Sequence, residues 1–599
     1  MRLGILRAFT SCPRYNYRDA SAGAVSVLHP VTVGCIFAWL LLPFVPVQAQ
    51  QAGQPRFDPQ QTERRFDHPS DGEAQPGKPA VRVPALARQP ATADSKPLFV
   101  LRGIVLAGNE ALPHERLAAA YQAHLGKPVS QADLAAIAAD IGDLYRAAGF
   151  HLSRAIVPPQ DIQGGKVRID IVEGRIVEIA LTGEGAEQFG VRPFLDPVLA
   201  ERPARLSTLE RQLLLINGLP GVRITDSALE EIGEATGRFR LIVHLKTWHV
   251  YAWLGVDNLG SSSVGAWQSY ATAAFNSYLR PGDSLALNLS TIANDPRELG
   301  FSRLSYETPV GIDGLRVGGS ALYSEVRPGD GRRLLDDSTA TESLELHGSI
   351  APVQSQQSTL TLTAAAGWSD VRERDVFGTM SDDHIRTASL TSDYRLQDAF
   401  GGDNYATMTY RQGLDIFGAT RAGDPLASRS GTSPDFWVFD FWYTRYQTLS
   451  DAWSMKMSLA SQTASGPLYT SQQFYLGGAA FGRGYGAAEI SGDNAIAGSF
   501  EVRFDQKPGW RYLNGYQLYG FFDAGTAWND SYRPADGLSL TSVGAGVRLF
   551  LWDNLQADLG VAFPLSYRAP DNETRSARLL FSVSNALKLC PERGQGHCL

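Results

Sequence analysis

Charge is scarce in this chain: Asp, Glu, Lys and Arg make up 19% of its 599 residues, with 62 acidic against 54 basic side chains. A net charge of −8 leaves no basic face of the kind that nucleic-acid binding requires. Cysteine is rarer still, four in all, and two of them, Cys12 and Cys35, fall in the first 49 residues. The other two, Cys590 and Cys598, lack zinc-finger spacing, and an oxidising compartment allows them to form a disulfide. Gly-x-Ser-x-Gly and His-Glu-x-x-His are missing, the histidines are scattered, and no nucleotide motif occurs. No catalytic residue, metal ligand, cofactor or nucleotide is therefore assigned. Long apolar runs are also lacking. The longest, Val31–Val45, contains Pro43 and falls short of the ~20 apolar residues a spanning helix needs.

That short run has a different use. Arg2 and Arg7 precede it, and Val47-Gln48-Ala49 follows it with small residues two apart, the pattern of a secretory signal cleaved after Ala49. From Gln50 to Lys96 the chain is polar, with Pro69, Pro76, Pro79, Pro84 and Pro90 too closely spaced for a folded core. Within this linker Asp58-Pro59 offers an N-cap followed by a first-turn proline, so residues 58–67 read either as a short helix or as a polar tail.

Residues 97–247 carry a repeat of supersecondary order. A strand at Phe99–Leu106 ends at Gly108-Asn109, and a helical pattern runs from Pro113 to about Leu125. A second helix opens at Ser130 with Asp133 as its capping partner and puts Leu134, Ile137, Ile141, Leu144 and Tyr145 on one stripe. Strands follow at His151–Val157 and Val167–Val172, closing on Glu173-Gly174. The order recurs from Arg175: a strand at Ile176–Leu181, a helix near Pro193–Leu199, a helix from Ser207 capped by Glu210 to Asn217, and strands at 223–227 and 238–245. Two such units, 97–174 and 175–247, resemble polypeptide-transport-associated (POTRA) domains. The landmarks that carry the resemblance are Gly108-Asn109, Tyr145…Gly149-Phe150, Val172-Glu173-Gly174 and Leu219-Pro-Gly-Val222.

From Tyr251 the period becomes two and stays so. Ser284–Ser290, Ser358–Thr363 and Ser454–Leu459 place large apolar side chains on one face and small or polar ones on the other. In Trp437–Arg445, Trp437, Phe439, Phe441 and Tyr443 share a face, with Asp440 and Trp442 opposite. A soluble sandwich would carry charge where these strands carry Leu, Met and Phe, so residues 248–587 read as a transmembrane β-barrel followed by a tail at 588–599. Roughly 340 residues at about 20 per strand and connection make 16 or 18 antiparallel strands. Turns such as Trp552-Asp553-Asn554 are expected on the periplasmic side, and Arg327–Thr341 and Gly418–Asp435 outside.

The most specific segment is Gly477-Gly-Ala-Ala-Phe-Gly-Arg483-Gly484-Tyr485-Gly486, rich in glycine and able to fold through a narrow lumen. Downstream, Tyr519-Gly-Phe521-Phe-Asp523-Ala-Gly525 puts Tyr519, Phe521, Asp523 and Gly525 on one face. A carboxylate there belongs toward the lumen and needs a cation. Arg483-Gly484-Tyr485 resembles the sixth-loop signature, and Phe521-x-Asp523-x-Gly525 the strand motif, of the outer-membrane superfamily that holds two-partner secretion exporters and barrel-assembly factors. The resemblance implies that Arg483 meets Asp523 and anchors the loop in the lumen.

Two POTRA units, with Val256-Asp-Asn-Leu-Gly-Ser261 at the first barrel strand, favour the exporters, and sixteen strands fit them. The last strand departs from the family by running on into residues 585–599. The chain is thus expected to sit in the outer membrane, against its lipid, with periplasmic N-terminal units, and to move a secreted exoprotein to the cell surface. An assembly factor for other outer-membrane proteins is the alternative, and a passive porin has no need of the repeats.

Overall fold

The computed structural model describes residues 94–589 except 184, 234–235, 262, 530–537, 553 and 567–575. The signal segment, the 58–67 helix, Cys590 and Cys598 lie outside the described residues.

Each N-terminal unit is a three-stranded sheet backed by helices. In the first, Gly103–Ala107 pairs in parallel with Lys166–Val172, which pairs antiparallel with Arg154–Ile156. The 17-residue helix Gln131–Ala147 covers that sheet and buries Leu134, Ile137, Ile141 and Tyr145. Ser130 and Asp133 close a reciprocal capping box at its start. The landmarks have physical causes. Gly108 sits at φ +84°, and a side chain there would run into the Ile171 carbonyl; Gly183, at φ +127°, meets Leu245 in the same way one unit later. Glu173 accepts from the Tyr145 hydroxyl and the Ala111 amide, both at 2.7 Å, tying the helix to the sheet's last turn.

Several expected elements differ. Phe99–Leu106 is not one strand. Leu101 is fully buried and its amide bonds Lys127 instead, so the chain splits into Pro97–Val100, paired with Pro128–Ser130, and Gly103–Ala107. The first helical pattern shrinks to His114–Ala118 and a 3-10 turn at Gln122–His124. The strand expected at 151–157 is only Arg154–Ile156, because His151 and Leu152 form a buried turn toward the second unit.

In the second unit Arg175–Thr182 pairs in parallel with Arg238–Thr247, flanked by Val222–Glu231. Its long helix, Leu206–Asn217, is not capped by Ser207 and Glu210. Glu201 takes the capping work, accepting from the Arg205 amide and the Thr208 hydroxyl. Glu210 is thereby left to accept from the Gln356 amide at 2.6 Å in a barrel turn. Beside it Arg211 donates to the carbonyls of Ala351 (2.9 Å) and Asp313 (2.8 Å), so this helix docks on two of the barrel's end turns.

The barrel itself closes with sixteen antiparallel strands in sequence order, from Val250–Asp257 to Arg578–Leu589, which pair with each other. Leu254, Leu289, Leu304, Leu344, Leu390 and Leu459 point outward and are exposed, while Asn288, Ser290, Ser324 and Asp440 on alternate positions are buried inside. The stretch at Arg327–Thr341 is shorter than expected as a loop, since Ser338–Gln354 is already strand. Among the described residues no helix is long and apolar enough to cross a membrane.

Candidate functional site

The glycine-rich segment leaves the wall through a small hairpin, Phe474–Leu476 against Ile490–Gly492, and folds back inside the barrel. Phe474, Leu476, Phe481, Tyr485 and Ile490 pack with wall residues Ala497 and Leu540 in one buried cluster. Phe481 reaches across to Trp442, with ring centroids 5.5 Å apart. Glycine is required where loop and wall touch. A side chain at Gly484 would come within 2.9 Å of Ser542 Cβ and 3.0 Å of the Pro564 nitrogen, and one at Gly525 within 3.1 Å of Leu476. Tyr485 donates its hydroxyl to the Thr541 carbonyl at 2.9 Å.

Arg483 sits over a receptor built from adjacent strands, Asn494–Gln506, Leu513–Trp528 and Leu538–Leu551. Register places Ser499, Asp523 and Ser542 in one row and Glu501, Phe521 and Gly544 in the next. Arg483 donates from its main-chain nitrogen and Nε to Asp523 Oδ2, both 3.0 Å, and from Nη2 to Oδ1 at 2.8 Å. Its guanidinium lies 3.6 Å above the Phe521 ring, a cation–π seat that Gly544 makes room for. Asp523 is fully buried, and Ser499 and Ser542 complete its hydrogen bonds. The expected residues Arg483, Gly484, Tyr485, Phe521, Asp523 and Gly525 are thus brought together.

Glu501 is the residue that sequence reasoning missed. It accepts from Arg483 Nη1 at 2.5 Å, from Arg503 Nε at 2.7 Å and from Arg548 Nη1 at 2.7 Å. Arg548 continues to Asp558 (3.0 Å), which also accepts from Tyr519 at 2.6 Å. Three arginines and three carboxylates therefore form one connected set with balanced charge, buried except at Asp558 on its edge. Burying them costs desolvation, which only near-ideal geometry repays, so the set specifies one loop position more than it adds stability. The signal was present: Ser499, Glu501 and Arg503 alternate with the outward Gly498, Phe500 and Val502. No metal-binding group of side chains occurs among the described residues.

A closed sixteen-stranded barrel with a loop folded inside it and two N-terminal βαβ units defines a POTRA-bearing outer-membrane transporter. Comparison with known proteins makes this particular. Residues 99–174 match the POTRA domain, ShlB-type, and residues 242–549, just over half of the chain, match the haemolysin secretion/activation protein ShlB/FhaC/HecB family. The chain belongs to that family, the outer-membrane transporters of two-partner secretion, which act with a secreted exoprotein. It is 24% identical to the heme/hemopexin transporter protein HuxB of Haemophilus influenzae over 76% of this chain and 82% of the relative. It is also 24% identical to the outer membrane transporter CdiB of Dickeya dadantii over 72% and 76%. The solved structure of CdiB from Escherichia coli shares the fold with a TM-score of 0.70 at 19% identity, over 88% of this chain and 97% of that one.

Proposed function

We propose that residues 477–489 plug the export channel, that Arg483 on Asp523 and Glu501 holds the plug shut, and that the POTRA units receive the unfolded partner. The observation that carries the first part is the seating of Arg483 on two buried carboxylates of the barrel wall. For the second, both units end in sheet edges, Gly103–Ala107 and Arg154–Ile156 in the first and Arg175–Thr182 and Val222–Glu231 in the second. An unfolded chain can add a strand to such an edge through main-chain bonds that tolerate many sequences. The outward leucine band is the surface we assign to lipid. No nucleotide motif is present in the sequence, so folding of the partner outside the cell supplies the direction of movement.

Two experiments separate these parts. Deleting residues 99–245 should abolish secretion while the barrel still inserts and shows heat-modifiable gel mobility; secretion at normal levels would move recognition elsewhere. Arg483→Ala should raise the open probability of the channel in planar bilayers and impair secretion. Wild-type conductance and secretion would remove the loop from the gate.

A further inference from the structure

The external stretch at Gly418–Asp435 has so far had no task, and neither has Asp493, which stands where the chain re-enters the wall after the plugging segment. Asp493 is 1% exposed. Arg429, from the external stretch, donates to both of its carboxylate oxygens, from Nη2 to Oδ2 at 3.1 Å. The same carboxylate accepts from the Leu468 amide and from Gln473 Nε2, both at 3.1 Å, so the entry of the inner segment is tied to its exit on one buried group. Neighbouring contacts widen the hold. The Ser428 hydroxyl accepts from the Thr470 amide at 3.1 Å, the Ser428 amide donates to Asp383 of the wall at 2.9 Å, and Tyr469 is buried against Phe436. The hairpin of Phe474–Leu476 and Ile490–Gly492 lies directly beside these residues. Its Gly492 sits so close to the wall that a side chain would come within 2.6 Å of the Trp528 nitrogen.

Beyond the hairpin the backbone changes character. Gly477 (φ +106°), Gly478 (φ +88°) and Ala488 (φ +58°) adopt left-handed conformations at the two junctions between hairpin and tip. A few residues at the ends of elements are where a hinge takes up its rotation. The tip is thus held by Arg483 inside the lumen, and the root by Arg429 at the rim. We propose that Arg429 is a positioning residue for export: with Asp493 it fixes the root of the plugging segment at the external rim, so that residues 477–489 turn about that root instead of leaving the lumen in one piece. The forked geometry matters, because a buried carboxylate that loses its cation is costly and a lysine cannot reproduce both bonds. The inference rests on the reading of residues 477–489 as a plug.

The test is hydrogen exchange on the full-length protein in nanodiscs, combined with channel recordings. Arg483→Ala frees the tip, so the Tyr485 amide should exchange at least about tenfold faster while the hairpin amides of 474–476 and 490–492 stay within about twofold of wild type. Open events should become more frequent at the wild-type unit conductance. Arg429→Ala frees the root, so the hairpin amides should exchange at least about tenfold faster. Its open events should keep their frequency but rise in unit conductance, which a contact that merely stabilises the external stretch would not change; Arg429→Lys should fall between. Hairpin amides that speed up together with the tip in Arg483→Ala would show the segment leaving in one piece and overturn the proposal. Wild-type hairpin exchange, or wild-type unit conductance, in Arg429→Ala would also overturn it and leave the plug standing. Unchanged open probability and exchange in Arg483→Ala would overturn the plug, and this proposal with it. If Arg429→Ala fails to insert, Arg429→Lys decides on the same two readouts.

Discussion

Replacing Glu501 by glutamine keeps the shape of the receptor and removes one negative charge from a set of three arginines and three carboxylates. Glu501 takes bonds from Arg483, Arg503 and Arg548 and is 1% exposed, so the change leaves one buried positive charge in excess. Breaking a buried pair costs about 3–5 kcal/mol, much of it from the abandoned partner. Were all of that felt by the loop, its released population would rise at least on the order of 100-fold, since 1.4 kcal/mol is a factor of ten. It should not be. Arg503 and Arg548 belong to the wall, so much of the cost falls on the barrel. Asp523→Asn is the contrast, because among the described residues Arg483 is the one cation bound to Asp523. Asp523→Asn should therefore raise open probability more, and Glu501→Gln should lower the temperature of barrel unfolding more. Open probability in planar bilayers and the midpoint of heat modification on gels report the two separately. A Glu501→Gln barrel that melts like wild type, or an Asp523→Asn channel that opens less than Glu501→Gln, would refute this division of cost.

Three further outcomes follow from the periplasmic units. Glu173→Ala abandons the buried Tyr145 hydroxyl, whose ionisation is already pushed up by burial and then by Glu173, and should cost about 1–3 kcal/mol, seen as faster exchange of the Ile137 and Ile141 amides. His151 is buried with neither ring nitrogen hydrogen-bonded, and burial lowers its pKa to about 4. The unfolded chain therefore takes up the proton first; the stability is complete above pH 6.5 and is lost as pH falls from 6.5 toward 4, by about 3 kcal/mol at most. His151→Leu should flatten that dependence in pH-resolved exchange. Arg211→Ala removes the bonds to Ala351 and Asp313 and should make the 355–357 turn sensitive to limited proteolysis while reducing secretion.

Much of this was legible because two periods encode it. Leu, Met and Phe on alternate positions marked the outward face of the barrel, and Asp523 among aromatics on an inward face called for a cation that the loop motif supplied. What was hidden depended on register between strands. Glu501 and Arg503 alternate visibly, yet nothing local says that Arg548, from a strand 47 residues on from Glu501, lies against the same carboxylate. Capping failed in the second unit for a related reason. Ser207 and Glu210 have the right spacing, but Glu201 upstream supplies the cap and a barrel turn claims Glu210. Phe99–Leu106 broke because burying Leu101 satisfied its amide outside the sheet. In each case a distant contact outweighed a sound local pattern.

The central claim is that the buried contact between Arg483 and Asp523 holds the plugging loop, and a double-mutant cycle tests it most directly. Secretion of the partner and channel open probability are measured for Arg483→Ala, Asp523→Ala and the pair. If the two residues act through each other, each single change impairs secretion and opens the channel, and the double is less damaged than the two effects summed, because no charge is left unpartnered. Strictly additive losses, or wild-type secretion from either single variant, would contradict the account.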